Sequence, residues 1–180
     1  MRKIAAGLFI SLDGVVEAPE QWHFPYFNDE MGAIVGAQQA ESDTMLLGRR
    51  TYEEFAAYWP SSDDELAAVM NGTPKLVAST TLTEPTWQNT TVIGGDVSAR
   101  LAELKRQPGG TISIVGSGTL VRSLLREGLV DELRLLVHPI VVGAGKRLFP
   151  DGTDRVPLKL LDSRTLSTGV LSLTYAPESV

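Results

Sequence analysis

The chain alternates short apolar runs with helical patterns over most of its 180 residues, and this alternation constrains the fold more than any other feature. Such a sequence is typical of an α/β sheet whose parallel strands are joined by helices. Several of the runs are apolar at nearly every position, as expected of strands that are covered on both faces. The first five predicted strands are Ile4–Ser11, Thr44–Gly48, Lys75–Ser79, Thr91–Ile93 and Thr111–Val115.

The helical patterns between these runs have recognisable ends. Asn28 is predicted to cap a helix that continues to about Ala40, and Asp96 is predicted to cap another. The residues Thr51–Glu54 match a capping box, which predicts a helix start at Thr51. A further helix, after the fifth strand, is predicted to end at Gly128.

The pattern changes after Gly128, where strands follow one another with little helix between them. They are predicted at Leu133–Val142, Pro157–Leu161 and Val170–Tyr175, as a β-meander that ends in an antiparallel hairpin. The sequence therefore predicts an α/β fold with a mixed, mostly parallel central sheet. Residues 1–180 contain no recognisable linker or repeat, so a single domain is expected.

Composition excludes several classes of function. The chain has 16 Lys and Arg against 22 Asp and Glu, a net charge of −6, which disfavours binding to a nucleic-acid backbone. The absence of cysteine excludes a disulfide scaffold, an iron–sulfur centre and a thiolate zinc site. With His23 and His138 as the only histidines, no metal site is expected. No apolar run is long enough to span a bilayer and no cleavage pattern follows the first strand, so a cytoplasmic protein without a membrane partner is expected.

Three predicted strand ends carry groups that suit phosphate binding. In α/β sheets, ligands collect at the carboxyl ends of the strands, where helix N-termini present free amides. Each segment also has a simpler explanation: solvated arginines beside a helix cap, hydroxyls that form a turn, and a glycine pair that lacks the third glycine of the dinucleotide fingerprint. The three segments are Gly48, Arg49, Arg50 and Thr51; Ser79, Thr80 and Thr81; and Gly116, Ser117, Gly118, Thr119 and Leu120.

Asp13 and Asp29 are the candidate catalytic carboxylates. Asp13 ends the first strand in an Asp-Gly turn that it could simply shape, and Asp29 stands in the first turn of a helix, where an acid favours the helix dipole. Alternatively, one of them orients a polar heterocycle and handles its proton. His138 precedes a proline at a strand end and is interpreted as a structural residue, while His23 lies in a loop rich in aromatic residues and proline.

Taken in order, several motifs resemble the dihydrofolate-reductase-like family, and within it the bacterial branch that includes the reductase domain of riboflavin-biosynthesis deaminase/reductases. The motifs are Ser11–Gly14, Thr44–Tyr52, Gly116–Leu120, Gly128–Leu133 and Gly143–Phe149. The resemblance implies a three-layer α/β/α fold with NADPH lying across the strand ends. It assigns the phosphate-binding helix start, the adenosine ribose with its 2′-phosphate and the pyrophosphate turn to the same three segments. It also places Asp13 in the loop that borders the nicotinamide, and Asp29 near the position where folate-reducing relatives carry their active-site acid.

The activity implied is NADPH-dependent reduction of a small pterin- or pyrimidine-like heterocycle, with 5-amino-6-(5-phosphoribosylamino)uracil of riboflavin biosynthesis as the nearest specific substrate. The alternatives are a nucleotide-binding or regulatory domain of the same fold without turnover, and a dihydrofolate reductase. Relatives often carry an arginine in place of Thr80, so a preference for NADPH over NADH rests here on Arg49 and Arg50. A homodimer is expected, both from the frequency of two-fold symmetry and from the family.

Overall fold

A computed structural model, which describes residues 1–178, shows one mixed eight-stranded sheet. Its strand order is β4-β3-β2-β5-β1-β6-β8-β7. The first six strands of that order run parallel, and β8 is antiparallel to both β6 and β7. The strands are β1 (Ile4–Ser11), β2 (Ser42–Gly48), β3 (Lys75–Ala78), β4 (Thr90–Ile93), β5 (Thr111–Gly116), β6 (Glu132–His138), β7 (Leu158–Thr165) and β8 (Leu171–Pro177).

Helices cover both faces of this sheet, as predicted. The α-helices are α1 (Asp29–Glu41), α2 (Arg49–Tyr58), α3 (Ala67–Gly72), α4 (Val97–Lys105) and α5 (Gly118–Arg126), with short 3-10 turns at Pro19–Gln21, Phe24–Tyr26 and Trp59–Ser61. Alternate residues of a strand point to opposite faces, so Leu46 packs in the core beneath α4 and α5 while Met45 and Leu47 pack beneath α2 and α3. Helix α1 lies on the α2 side, against Phe9 and Leu136. Among residues 1–178, no helix is both long and apolar enough to cross a membrane.

Each apolar run that was predicted as a strand forms one, but the third part of the chain differs in detail. Strand β6 ends at His138, earlier than predicted, because Pro139 has no amide hydrogen to continue the ladder. Strand β7 continues to Thr165, beyond the predicted end at Leu161. The predicted meander is wrong, since β8 inserts between β6 and β7, although the antiparallel C-terminal hairpin is confirmed.

Two predicted helix caps are confirmed and one is wrong. Asn28 accepts a hydrogen bond from the Met31 amide at 3.1 Å, and the Asp96 side chain likewise caps α4. The predicted start at Thr51 is wrong because β2 leads directly into α2, with Gly48 in extended backbone as the N-cap residue and Arg49 as the first helical residue. Helix α3 was not predicted.

Candidate active site

Strands β2 and β5 are neighbours in the sheet, and the helices that follow them leave on opposite faces. Helix α2 packs on one face and α5 on the other. Such a reversal opens a crevice at the carboxyl ends of the two strands, which is where open α/β sheets bind their ligands. The crevice between the starts of α2 and α5 is therefore the candidate site.

The two chain segments that border this crevice approach each other closely at their glycines. A methyl group added to Gly48 would lie 3.3 Å from Oγ of Ser117, and one added to Gly116 would lie 2.9 Å from Oγ1 of Thr51. A side chain at either position would therefore press against the opposite segment. The glycines let the two helix starts approach each other closely at this edge of the sheet.

Both helix starts present hydrogen-bond donors to the crevice. The first-turn amides of a helix lack partners within the helix, and they carry the positive end of its dipole. In α2 these amides belong to Arg49, Arg50 and Thr51; in α5 Ser117 is the N-cap residue, and its Oγ accepts a hydrogen bond from the Leu120 amide at 3.4 Å. Two converging helix starts suit a ligand with two linked phosphates.

The two arginines at the start of α2 differ in their surroundings. Arg49 donates to both carboxylate oxygens of Glu53, one turn further along the helix, at 3.0 Å each. Arg50 is exposed, and within residues 1–178 it has no carboxylate partner. Arg50 is thus available to pair with an anion, whereas Arg49 must first break its ion pair with Glu53.

The third predicted segment follows β3, which lies beside β2 on the side away from β5. Its first hydroxyl shapes the local turn, because Ser79 Oγ accepts hydrogen bonds from the amides of Thr81 at 3.2 Å and Leu82 at 3.0 Å. Thr80 and Thr81 are exposed at the surface. The structure therefore brings all three predicted segments to one sheet edge, and their binding of a cofactor stays a prediction.

Asp13 lies at the same edge, directly after β1, where it ties two loops together. Its carboxylate accepts hydrogen bonds from the Ser11 hydroxyl and from the amides of Val142 and Gly143, at 2.5, 3.1 and 2.8 Å. The Ser11 hydroxyl, followed by the two amides, lowers the pKa of Asp13 to about 2. Asp13 is therefore ionised at neutral pH, and its predicted catalytic role stays a prediction.

Asp29 is the first residue of α1, and its side chain is exposed at the same end of the sheet. Its neighbour Glu30 is engaged by the turn before β8, where the Ser167 hydroxyl and amide lower the pKa of Glu30. No hydrogen bond joins the Asp29 carboxylate to another described residue. Its role as a catalytic acid stays a prediction.

A pair of buried histidines is the feature of this edge that sequence reasoning missed. His23 and His138, the only histidines of the chain, lie with ring centroids 6.1 Å apart and are 8% and 0% exposed. Burial lowers the pKa of both imidazoles, and the neighbouring His138 lowers that of His23 further. His138 ends β6 opposite Ser11 of β1, so the pair lies at the carboxyl edge. The position of His138 at the end of a parallel strand places it at this edge from the sequence, whereas the approach of His23 depends on the fold of the loop after β1.

The fold is dihydrofolate-reductase-like. Dihydrofolate reductase from Enterococcus faecalis, solved in complex with NADP(H), superimposes with a TM-score of 0.67 at 16% identity, over 98% of this chain and 97% of that one. A putative riboflavin biosynthesis protein from Shewanella sp. PV-4 superimposes with a TM-score of 0.79 at 20% identity, over 98% and 99% of the two chains.

Within that class the family is defined by sequence. The model of the RibD C-terminal domain matches residues 2–172, and the chain belongs to this family. The uncharacterized protein YyaP of Bacillus subtilis (strain 168) is 33% identical over 180 aligned residues, which cover 97% of this chain and 94% of YyaP.

Proposed function

We propose that the protein is an NADPH-dependent reductase of a planar, pterin- or pyrimidine-like heterocycle. The observation that carries this proposal is that α2 and α5 leave the neighbouring strands β2 and β5 on opposite faces of the sheet, which brings their N-termini together where the sheet reverses its winding. Membership of the RibD C-terminal domain family and likeness to a reductase solved with NADP(H) support the same proposal.

An extended dinucleotide with its phosphates in the crevice would reach along the edge of the sheet in both directions, and suitable residues lie on each side. On the β3 side, the exposed Thr80 and Thr81 would present hydroxyls to a ribose or its phosphate, and the exposed cationic Arg50 follows the neighbouring strand β2. On the β1 and β6 side, the edge leads to the buried histidines and their aromatic neighbours. Adjacent strands lie ~4.8 Å apart, so β6 is about 10 Å from β5, a distance that one half of a dinucleotide spans.

Bound NADPH would supply a hydride, and the chain would hold and orient the reactants. The first-turn amides of α2 and α5 would hold the linked phosphates, and the close approach at Gly48 and Gly116 brings the two sets of amides together. Asp13 fixes the loop after β1 to the loop after β6, so that both border the reacting end with a permanent negative charge nearby. Asp29, exposed at the N-terminus of α1, is the proposed source of the proton that completes the reduction.

The proposed substrate is 5-amino-6-(5-phosphoribosylamino)uracil or a close relative, in which the uracil ring anchors the molecule while C1′ of the opened ribosylamine takes the hydride and its nitrogen takes the proton. A flat heterocycle suits a site whose walls are aromatic rings, because stacking favours planar ligands. The family description and the riboflavin-biosynthesis neighbour favour a pyrimidine of that pathway over a folate.

Oxidation of NADPH, followed at 340 nm against a panel of heterocycles, tests the proposal. The panel contains dihydrofolate, the ribosylated aminouracil and its 5′-phosphate, each with and without enzyme. The proposal expects turnover of the aminouracil phosphate in excess of that of dihydrofolate. Saturable NADPH binding with no turnover of any member would instead support the second candidate, a nucleotide-binding protein without catalysis.

One observation favours that second candidate specifically. The Phe9 ring, the aromatic floor of the site, is already covered by another residue of the chain, because the His23 ring stacks on it with centroids 4.6 Å apart. A protein that binds the dinucleotide and never admits a substrate would have this arrangement permanently. Turnover of any heterocycle in the panel contradicts it.

A further inference from the structure

The segment Ala18–Phe27, called the lid below, is attached to the rest of the described chain by side-chain packing rather than by hydrogen bonds. Its backbone hydrogen bonds are internal, and the Trp22 indole donates to the carbonyl of the preceding residue Glu17 at 3.2 Å. No hydrogen bond joins residues 18–27 to any other residue beyond Glu17 within 1–178. Such a segment can separate from the sheet without breaking a ladder.

Two side chains of the lid attach it to the sheet. Trp22 is 7% exposed and His23 is 8% exposed, and both enter the space above β1 and β6. The His23 ring lies on the Phe9 ring with centroids 4.6 Å apart and an interplanar angle of 12°, and Trp22 meets the His138 ring edge-on at 5.2 Å. The imidazole of His23 is thus a planar nitrogen heterocycle stacked on the aromatic floor of the site.

Both imidazoles leave a buried ring nitrogen without a partner among residues 1–178: Nδ1 of His23 and Nε2 of His138. A buried polar atom without a hydrogen bond costs ~1–3 kcal/mol, so this arrangement calls for an explanation. His138 Nδ1 lies 2.8 Å from the Leu136 carbonyl, which can only accept. In neutral His138 the proton therefore sits on Nδ1, and Nε2 presents a lone pair that an N–H group of a ligand would satisfy.

We propose that His23 plugs the substrate subsite: its ring occupies the place on Phe9 that a planar heterocycle takes when the lid opens, and His138 Nε2 then accepts a hydrogen bond from that heterocycle. The inference rests on the proposed function and names its substrate-recognising residue. It also explains why the histidine pair tolerates unpaired nitrogens, since the ligand pairs with His138 and the displaced His23 is hydrated.

The experiment uses lumazine, a fluorescent pteridinedione that carries N–H groups, as the probe. Its affinity is measured for the wild-type protein, for His23→Ala, and for Gln21→Ala as a matched change of an exposed lid residue. His23→Ala removes the ring from its place on Phe9 and is expected to strengthen lumazine binding about tenfold or more. Gln21→Ala is expected to leave lumazine affinity unchanged. Equal affinity of His23→Ala and wild type overturns the plug. If His23→Ala does not fold by circular dichroism, His23→Asn, which keeps a polar but smaller side chain, replaces it.

The role of His138 is tested in the emptied site. The double variant His23→Ala/His138→Leu nearly keeps the side-chain volume at position 138 but removes the lone pair of Nε2. The gain in lumazine affinity seen for His23→Ala is expected to disappear. If the gain survives, His138 does not recognise the heterocycle. Hydrogen exchange gives a second readout, since lumazine is expected to accelerate exchange of lid amides in the wild type and slower exchange contradicts lid opening.

The same samples separate this inference from the function on which it rests. NADPH binding is measured for each variant, because the first-turn amides of α2 and α5 that would hold its phosphates belong neither to the lid nor to β6. If the wild type oxidises NADPH with a substrate but His23→Ala does not change lumazine affinity, the plug is wrong and the proposed reductase function is retained. If His23→Ala raises lumazine affinity tenfold but the protein does not bind NADPH, the proposed reductase function is wrong and the plug is retained.

Discussion

Gly116 lies so close to Thr51 that a methyl group on its α-carbon would be 2.9 Å from Oγ1 and 3.2 Å from Cγ2 of that side chain. Gly116 ends β5, and Thr51 belongs to the first turn of α2. This contact joins the two sides of the crevice, and its tightness explains why one of them is a glycine.

Gly116→Ala is expected to lower the free energy of unfolding by ~1–3 kcal/mol, as overpacking does, and to weaken NADPH binding. Adding Thr51→Ala removes both close atoms and leaves Cβ at 3.6 Å, so the double variant should regain part of the stability. Gly36→Ala in α1, where a methyl group would meet nothing within 4 Å, serves as the control and should stabilise by ~0.5–1 kcal/mol. Urea unfolding measures all three, and an unaffected Gly116→Ala would refute the steric argument.

The arginines at the start of α2 should decide the preference for NADPH. Arg49→Ala/Arg50→Ala is expected to weaken NADPH binding about 10–100-fold, given ~1.5–3 kcal/mol for a charged hydrogen bond, and to leave NADH binding nearly unchanged. Arg100→Ala, which removes an exposed ion-paired arginine from α4, is the matched control. Equal losses for NADPH and NADH would show that these guanidiniums do not meet the 2′-phosphate.

Glu53 should compete with the cofactor for Arg49. Because Glu53 holds Arg49 through two contacts of 3.0 Å, Glu53→Gln frees the guanidinium. Exposed ion pairs contribute only ~0.2–1 kcal/mol, so NADPH affinity should rise about two- to threefold, measured by fluorescence titration. A fall in affinity would mean that Glu53 positions Arg49 for binding.

The buried histidines should make the fold sensitive to mild acid. Burial lowers the pKa of His23 and His138 below the ordinary value of 6.5, against a weaker opposing effect of Glu20 on His23 and of backbone carbonyls on His138. The unfolded chain therefore takes up protons first as the pH falls through 6.5, and the free energy of unfolding falls with it. The drop between about pH 7.5 and pH 5.5 should be smaller in His23→Phe/His138→Leu. An identical drop in that variant would assign it to other groups.

Lys75 should be a structural residue despite its charge. It is 1% exposed, and its Nζ donates to the carbonyls of Asn71, Thr73 and Gln88 at 3.0, 2.8 and 3.1 Å and lies 4.0 Å from the centroid of the Trp87 ring. Lys75→Met is expected to cost ~2–4 kcal/mol of unfolding free energy by removing these contacts. Lys159→Met, at an exposed position of β7, should cost little. Equal stabilities would contradict the role given to Lys75.

The sequence predicted the parallel part of the sheet well because several of its strands, such as β1, are apolar at nearly every position, a signal that lies within each run. It also predicted that Gly48, Ser79 and Gly116 come to one edge, since that follows from parallel strands alone. It could not predict that α2 starts at Arg49, because the capping pattern at Thr51 competes with a direct strand-to-helix junction. The contact of His23 with His138 depends on how a long loop folds back over β6, which no local pattern encodes.

The central claim is that the crevice between α2 and α5 binds a dinucleotide, and hydrogen exchange of the wild-type protein with and without saturating NADPH tests it most directly. The account predicts slower exchange at the amides of Arg49–Thr51 and Gly118–Leu120, with little change in α4. Saturation without protection at these two helix starts, or no saturation up to millimolar NADPH, would contradict it.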